Sequence, residues 1–268
     1  MEIKFNNVDF SYKKINYQEK EVLKDINIVL KEGIITTIIG KSGSGKTTIL
    51  ELISSIIVPT NGEIKFDNVN KIGFLFQFPE EQFFNQTVKK ELEIILKLNN
   101  YKTKDKQKRI SDSLKMVGLN DSYLNMNPFN LSNGEKRKLA LSSVLILNPD
   151  VLLLDEPTIG LDDKSKNELI NLIRLLKKRY NKTIVIASHD MDFIHKITDY
   201  IYVLDNKSII LEGDKYSVFK KEEELNNINI KVPKLIEFSN RVLKLKKIKI
   251  GYRDDINDLI KDIYRYVK

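Results

Sequence analysis

The chain has 268 residues, a formal net charge of +8, 41% hydrophobic and 31% charged residues, and no cysteine. This length can bury a large core, and the composition is ordinary for a folded soluble protein. The lack of cysteine excludes disulfides and thiolate metal sites. No apolar run approaches the ~20 residues that span a bilayer, and the first residues, MEIKFNNVDF, lack the features of a secretory signal, so a cytoplasmic protein is expected.

The positive charge alone does not identify a partner. It fits a lysine-rich surface, and it also fits attraction to anionic membrane headgroups or to nucleic acid.

The first half of the chain predicts alternating strands and helices. Its strand segments are β-branched or alternate apolar with polar residues, and its helical segments have apolar residues at helical spacing. Strands are predicted at 2–12, 22–30, 34–40, 62–67 and 71–77, and helices at 48–57, 88–98 and 104–119. The last of these helices is expected to end at Gly118, a typical C-terminal cap.

The second half continues the same alternation. The predicted elements are a helix at 132–147, a buried strand at 151–157, a helix at 165–180, a strand at 183–188, a helix at 192–197 and a hairpin at 200–213. This order predicts an α/β fold. From about Ser217 the sequence is charged and helix-like, so residues 218–268 are expected to form a C-terminal helical extension.

The segment GKSGSGKT, from Gly40 to Thr47, fits the phosphate-loop pattern and lies between a buried strand and a helix. Its glycines let the backbone wrap closely and aim N–H groups at phosphate oxygens, and the helix directs its positive end to the same anion. Lys46 is expected to reach the β and γ phosphates, and Thr47 to offer its hydroxyl to Mg²⁺. The alternative is a glycine-rich turn that fits the pattern by chance.

The segment VLLLDEP supplies two carboxylates at the end of a buried strand. Asp155 can hold Mg²⁺ through water beside Thr47. Glu156 is placed to polarise an attacking water. The alternative is that both are solvated strand-end acids.

The motifs GKSGSGKT, FQ, LSNGE, LLLDEP, GLDD and SHD, in this order, resemble the nucleotide-binding subunit of ABC transporters over residues 1–217. The resemblance implies an ABC-type P-loop NTPase fold with an antiparallel β subdomain, a helical subdomain at about 78–148, and ATP and Mg²⁺ as cofactors. Tyr12 is implied to stack on adenine, Gln77 to link the γ-phosphate and Mg²⁺ to a membrane subunit, and His189 to sense the γ-phosphate. The implied nucleotide-binding residues are Tyr12, Gly40, Lys41, Ser42, Gly43, Ser44, Gly45, Lys46, Thr47 and Thr48, the catalytic residues Glu156, His189 and Gln77, and the metal ligands Thr47, Gln77 and Asp155.

The resemblance also implies residues that serve the ATP held by an opposite subunit. Ser132, Asn133, Gly134 and Glu135 match the signature segment, and Asp162 matches the loop that crosses the dimer interface. The signature is usually Leu-Ser-Gly-Gly-Gln, whereas this chain has LSNGE. Asparagine tolerates left-handed backbone angles, so the backbone donors are expected to survive. Glu135 suits the positive end of a helix but mildly repels ATP, which predicts a functional, weaker half-site.

Five phenylalanines lie between Phe74 and Phe84, in FLFQFPEEQFF. FQFPEEQFFNQTV, DSYLNMNPFNLS and the tail NINIKVPKLIEFSNRVLKLKKIKIG resemble the energy-coupling factor (ECF) ATPases of bacterial vitamin and metal importers. In that family paired ATPases form a groove for arginine-bearing coupling helices of a transmembrane protein. An apolar wall with carboxylate acceptors suits such helices. The predicted groove residues are Phe78, Glu80, Glu81, Phe83 and Phe84; the alternative places the aromatic side chains in the core, as expected for Phe74 and Phe76.

This resemblance implies the ATP-hydrolysing energy-coupling subunit of an ECF importer. The implied partners are a paralogous ATPase in a heterodimer, a transmembrane coupling protein and substrate-binding membrane proteins, with no nucleic acid. The implied location is the cytoplasmic side of the cell membrane. The loop KKINYQEK resembles the second of the two paralogues, and the tail 218–268 is interpreted as a dimer contact, with packing onto its own domain as the alternative.

Three other functions remain open. A subunit of a conventional ABC transporter with dedicated permeases is one, although FPEEQFF and the tail argue against it. A soluble ABC protein acting on nucleic acid fits the charge. Such proteins carry a long coiled coil or a second cassette, and this sequence shows neither. A regulatory subunit that hydrolyses little is suggested by LSNGE and opposed by Glu156 and His189. His195 lies in no motif and is interpreted as structural.

Overall fold

The computed structural model describes residues 1–13, 19–102, 104–248 and 250–267. Most of the predicted loop KKINYQEK, residues 14–18, lies outside the described residues. Within the described ranges the chain forms nine strands and ten α-helices. The strands are β1 (Glu2–Lys13), β2 (Glu19–Lys31), β3 (Ile35–Ile39), β4 (Asn61–Asp67), β5 (Ile72–Leu75), β6 (Val151–Asp155), β7 (Thr183–Ala187), β8 (Tyr200–Asp205) and β9 (Ser208–Asp214). The α-helices are α1 (Lys46–Ile53), α2 (Val88–Leu98), α3 (Lys106–Met116), α4 (Asn133–Leu145), α5 (Asp163–Tyr180), α6 (Met191–Ile197), α7 (Lys215–Phe219), α8 (Glu222–Asn227), α9 (Lys234–Lys246) and α10 (Ile256–Val267).

The strands form two sheets. One is antiparallel, with the order β2-β1-β4, and the other has six strands in the order β5-β6-β7-β3-β8-β9. In the larger sheet all neighbours are parallel except the β8–β9 hairpin. The predicted α/β class is therefore confirmed, with a separate antiparallel sheet as expected.

The central strands β3, β6 and β7 of the larger sheet are buried on both faces, which is why they read as continuous apolar runs. In β7, Ile184 and Ile186 belong to the core shared with the helices, whereas Val185 and Ala187 belong to the core beneath the antiparallel sheet. Successive side chains of a strand point to opposite faces, so a single strand contributes to both cores.

The carboxyl ends of the parallel strands bring the predicted motifs to one edge of the sheet. Gly40 follows β3, Gln77 follows β5, Asp155 ends β6, and His189 follows β7. In α/β sheets of this kind, ligands bind at this edge. The topology therefore gathers residues that are far apart in sequence.

Helices α2, α3 and α4 pack against one another within residues 78–148, where the helical subdomain is expected, and α8, α9 and α10 lie within the expected C-terminal extension, residues 218–268. Ile236 of the extension is fully buried in the core shared with the helices, called the main core below, so the extension packs on its own domain. Phe238 and Leu245 of the same helix remain 46% and 69% exposed. No helix in the described ranges combines the length and the apolar character needed to cross a membrane.

The segment around the phenylalanines differs from the predicted strand at 71–77. Strand β5 ends at Leu75, and a 3₁₀ turn follows at Pro79–Gln82. Phe74 and Phe76 stack with ring centroids 4.1 Å apart and are half-buried. They pair with each other at the core boundary and are less buried than expected.

Candidate active site

The phosphate loop joins β3 to the start of α1. Gly45 precedes the helix at φ 109°, and no side chain caps the helix N-terminus, so its N–H groups are left for an anion. A Cβ on Gly45 would lie 2.9 Å from Leu23 Cδ2, and one on Gly40 would overlap the Leu204 carbonyl. The loop therefore needs glycine at both positions.

Lys46 lies inside this loop. Its Nζ donates to the carbonyl oxygens of Gly40 and Lys41, each at 3.0 Å, and the residue is 8% exposed. Burial lowers the pKa of the Lys46 ammonium, and the carboxylates of Glu156 and Asp155 oppose this effect. The loop thus surrounds a cation that can bind phosphate oxygens.

Asp155 is the buried acid of the site. Its Oδ2 accepts a 2.8 Å hydrogen bond from Thr47 Oγ1, whereas its Oδ1 is buried without a hydrogen-bond partner among the described residues. Burial raises the pKa of Asp155, and the bond from Thr47 opposes the rise. A buried carboxylate oxygen without a donor, beside a hydroxyl, fits a hard cation such as Mg²⁺.

Glu156 has a strained backbone and a fixed carboxylate. Its φ is 45°, a left-handed angle rare outside glycine, and its N–H donates to the Ala187 carbonyl at 2.8 Å. Oε1 lies 2.8 Å from Nδ1 of His189, whose backbone N–H donates to Oε2 at 3.3 Å. The carboxylate is thus oriented by the residue proposed as the γ-phosphate sensor.

A cavity of about 710 Å³ lies between these groups. The predicted residues that line it are Gly40, Lys41, Ser42, Gly43, Lys46, Thr47, Gln77, Asp155, Glu156 and His189. The wall also includes Asn229, Ile230 and Lys231 of the C-terminal extension, which belong to no predicted site motif. The alternation of apolar Ile228, Ile230 and Val232 was the available sequence signal, and Ile230 and Val232 are buried in the structure.

Tyr12 lines a second cavity of about 510 Å³, which adjoins the phosphate loop as the first cavity does. Its hydroxyl donates to Glu51 Oε2 at 3.0 Å, and its ring meets Phe10 edge to face with centroids 4.7 Å apart. Tyr12 is 42% exposed and is therefore accessible from this cavity. Ser44, Gly45 and Thr48 line this second cavity.

The signature segment lies outside the first cavity. Ser132 caps α4 in a capping box with Glu135, whose Oε2 accepts from Ser132 N at 2.9 Å and Ser132 Oγ at 2.7 Å. Tyr123 donates to Oε1 at 2.7 Å. The Ser132 and Tyr123 bonds lower the pKa of Glu135. Glu135 is therefore held on its own helix, an arrangement that the sequence analysis did not foresee.

Asn133 does not need the left-handed tolerance that was invoked for it. It is the first residue of α4, outside the set of residues with positive φ. Gly134 lines a separate cleft between the helical subdomain and α5. Asp162 caps α5 by accepting from Ser165 N at 2.7 Å, which lowers its pKa.

The predicted groove residues differ in their exposure. Phe78 and Phe84 are 48% and 67% exposed, and Glu81 is also exposed. The prediction that Phe83 lines the groove is wrong, because this residue is 7% exposed and packs in the main core. Glu80 is half-buried.

Two further apolar side chains lie exposed in the neighbouring segment. Met126 and Phe129 are 42% and 54% exposed. The Met126 carbonyl accepts from Val88 N at 3.0 Å, which ties this segment to the start of α2. Both residues belong to the segment DSYLNMNPFNLS, whose family resemblance did not predict their exposure.

Known families and structures share this architecture. The family described as ABC transporter matches residues 23–159. Relatives include EcfA2, the energy-coupling factor transporter ATP-binding protein of Clostridium perfringens, with 36% identity over 88% of this chain and 87% of the relative. EcfA3 of Oenococcus oeni is 36% identical over 91% and 90%.

The chain belongs to the energy-coupling factor transporter ATP-binding family. This ECF ATPase also resembles solved structures. CbiO1 of Clostridium perfringens, described as part of the ABC transporter complex cbiONQ, has a TM-score of 0.72 and 30% identity over 92% of this chain and 98% of CbiO1. The ATP-binding cassette MJ0796 with bound ADP and Pi has the same TM-score and identity over 79% and 98%. The ABC-type fold and the ATPase activity predicted from the motifs are thereby confirmed.

Proposed function

We propose that this ECF ATPase hydrolyses Mg²⁺-bound ATP to drive uptake of a vitamin or metal ion through a membrane complex. The observation that supports this most is the cavity in which Lys46, Asp155 and Glu156 meet at one sheet edge. Phe78 and Phe84, exposed beside two glutamates, support the membrane partner.

In the proposed reaction each residue has a distinct task. Lys46 and the N-terminus of α1 bind the phosphates. Thr47, Gln77 and Asp155 would hold Mg²⁺, which neutralises phosphate charge when bound. The water oxygen attacks the γ-phosphorus, its proton passes to the Glu156 carboxylate, and the bond to ADP breaks. His189 holds that carboxylate in place, as its 2.8 Å contact allows.

The proposed complex contains a second, paralogous ATPase. Ser132, Asn133, Gly134 and Glu135 face ATP on that subunit, with Asp162 at the interface. The exposed Phe238 and Leu245 support a dimer contact by the C-terminal extension, residues 218–268. ATP closes the dimer and hydrolysis reopens it, moving the transmembrane coupling protein.

In the proposed complex the chain is a peripheral subunit on the cytoplasmic side of the cell membrane, beside substrate-binding membrane proteins. Phe78 and Phe84 provide apolar walls, and Glu80 and Glu81 accept charge-assisted bonds from arginine. The +8 charge supports attraction to anionic headgroups.

The test is to isolate the tagged full chain from detergent-solubilised native membranes and to identify its partners. A paralogous ATPase and a shared transmembrane protein are expected, together with several small membrane proteins. Glu80→Lys should lose the transmembrane protein yet bind ATP, while Glu93→Lys, an exposed reversal on α2, should keep it. A dedicated permease pair, or normal recovery with Glu80→Lys, would contradict the proposal.

A further inference from the structure

One arginine joins three segments around the catalytic glutamate. Arg137 lies on α4, two residues beyond the signature. Its Nη2 donates to the carbonyl oxygens of Gln77 at 2.9 Å and Glu156 at 3.2 Å, and its Nη1 donates to the Ile159 carbonyl. Arginine's planar fork suits several fixed acceptors at once.

The guanidinium of Arg137 is partly buried from water. Its Nε is buried without a hydrogen-bond partner in the described part of the chain. Burial lowers the pKa of Arg137, and the carboxylate of Glu80 opposes this effect. Carbonyl dipoles and one acid therefore compensate the charge. A half-buried cation held in this way fixes the segments that it bonds.

Of the three Arg137 hydrogen bonds, the one to the Glu156 carbonyl bears most directly on the catalytic carboxylate. Its left-handed backbone is fixed on one side by the N–H bond to Ala187 and on the other by Arg137 at its carbonyl. We expect a change in either bond to rotate the Glu156 carboxylate that His189 orients. Small displacements of a catalytic group have large effects on rate.

We propose that Arg137 is a positioning residue that links the signature helix α4 to Glu156 and to Gln77. When α4 shifts relative to the sheet, the three carbonyls bonded to Arg137 move with it. The Glu156 carboxylate is therefore positioned for proton transfer in only one arrangement of the helical subdomain. Glu80 connects this link to the groove beside it, a part of the inference that rests on the proposed function.

The experiment compares Arg137→Lys with Arg109→Lys in the complex isolated through the tagged chain. Arg109 is a matched control, because its Nε donates to the Ile146 carbonyl at 2.7 Å within the helical subdomain. Lysine keeps the charge but cannot bond three fixed acceptors. We expect Arg137→Lys to lower kcat about tenfold or more with KM for ATP within about threefold, and Arg109→Lys to stay within about twofold of wild type.

Arg137→Gln provides a second variant that removes the charge. We expect kcat to fall from wild type to Arg137→Lys and further to Arg137→Gln. The ATP affinity of the isolated chain should stay unchanged, because Arg137 is outside the lining of the nucleotide cavity. Thermal unfolding identifies a temperature at which all variants are folded. Unchanged kcat in Arg137→Lys, a rise in KM alone, or an equal loss in Arg109→Lys would overturn the inference. The absence of an ECF-type partner from the wild-type complex would contradict the proposed function and leave this kinetic comparison valid.

Discussion

At the residue scale, two cations of the site have backbone carbonyls as their hydrogen-bond partners. Lys46 is bonded to loop carbonyls, and Arg137 to carbonyls of three segments. The phosphate loop, Asp155 and Glu156 could be predicted from the residues themselves, and the other motif positions from the family resemblance. Arg137 could not, since nothing in the pattern of a helix indicates which distant carbonyls it meets.

Glu135 gives a prediction at this scale. Replacing Glu135 by alanine removes the carboxylate that bonds Ser132 N, Ser132 Oγ and Tyr123. The free energy of unfolding should fall by about 1 kcal/mol, a typical effect of losing a helix cap. Glu135→Gln, which can keep the capping box, should lose less. Chemical denaturation of the isolated chain measures the free energy of unfolding of each variant. Equal losses of this free energy in Glu135→Ala and Glu135→Gln would mean that the capping bonds do not contribute.

At the element scale, the α/β alternation was predictable and the exposure of individual aromatic residues was not. Helix α2 has the predicted bounds, and α3 ends before Gly118, which has φ 78°. Phe83 and Phe84 are adjacent and identical in type, yet one is buried and the other exposed. Their orientation is set by the 3₁₀ turn and by Glu91, which accepts from Asn85 N at 2.9 Å. Such a turn carries no periodic signal.

This pair provides a matched prediction. Phe83→Ala should lower the free energy of unfolding by about 3–5 kcal/mol, because it leaves a cavity in the main core. Phe84→Ala should change stability little and should weaken recovery of the transmembrane protein, since the side chain is 67% exposed. Denaturant midpoints and membrane pull-downs measure the two effects. A stable Phe83→Ala would contradict the placement of this residue.

At the scale of the whole molecule, the C-terminal extension is joined to the ATPase core by a polar cluster around His195. His195 is 2% exposed, with Nε2 3.6 Å from Asp254 Oδ1. Lys215 donates to the His195 carbonyl at 3.0 Å and binds Asp254 at 2.6 Å. The structural role expected for His195 fits this burial. Its contact with the extension depends on residues about sixty positions away, which a local pattern cannot reveal.

The cluster predicts a pH dependence of stability. Burial lowers the pKa of His195 from 6.5, Asp254 and Asp192 oppose this, and Lys215 and Lys196 reinforce it. The folded state therefore favours the neutral imidazole, so its contribution to stability is complete above pH 6.5 and is lost as pH falls below 6.5 towards the folded pKa. His195→Gln should reduce the loss of stability between about pH 7.5 and about pH 5.5. An unchanged pH dependence in this variant would exclude His195 as its source.

The most direct measurement is the steady-state rate of ATP hydrolysis by the complex isolated through this chain, in wild type and in Glu156→Gln. Glutamine keeps the shape of the side chain but cannot take the proton of the attacking water. We predict that turnover falls by roughly 10²–10⁴-fold while ATP stays bound, and that the exposed control Glu93→Gln retains the wild-type rate. Unchanged turnover in Glu156→Gln would contradict the role of this cavity in hydrolysis.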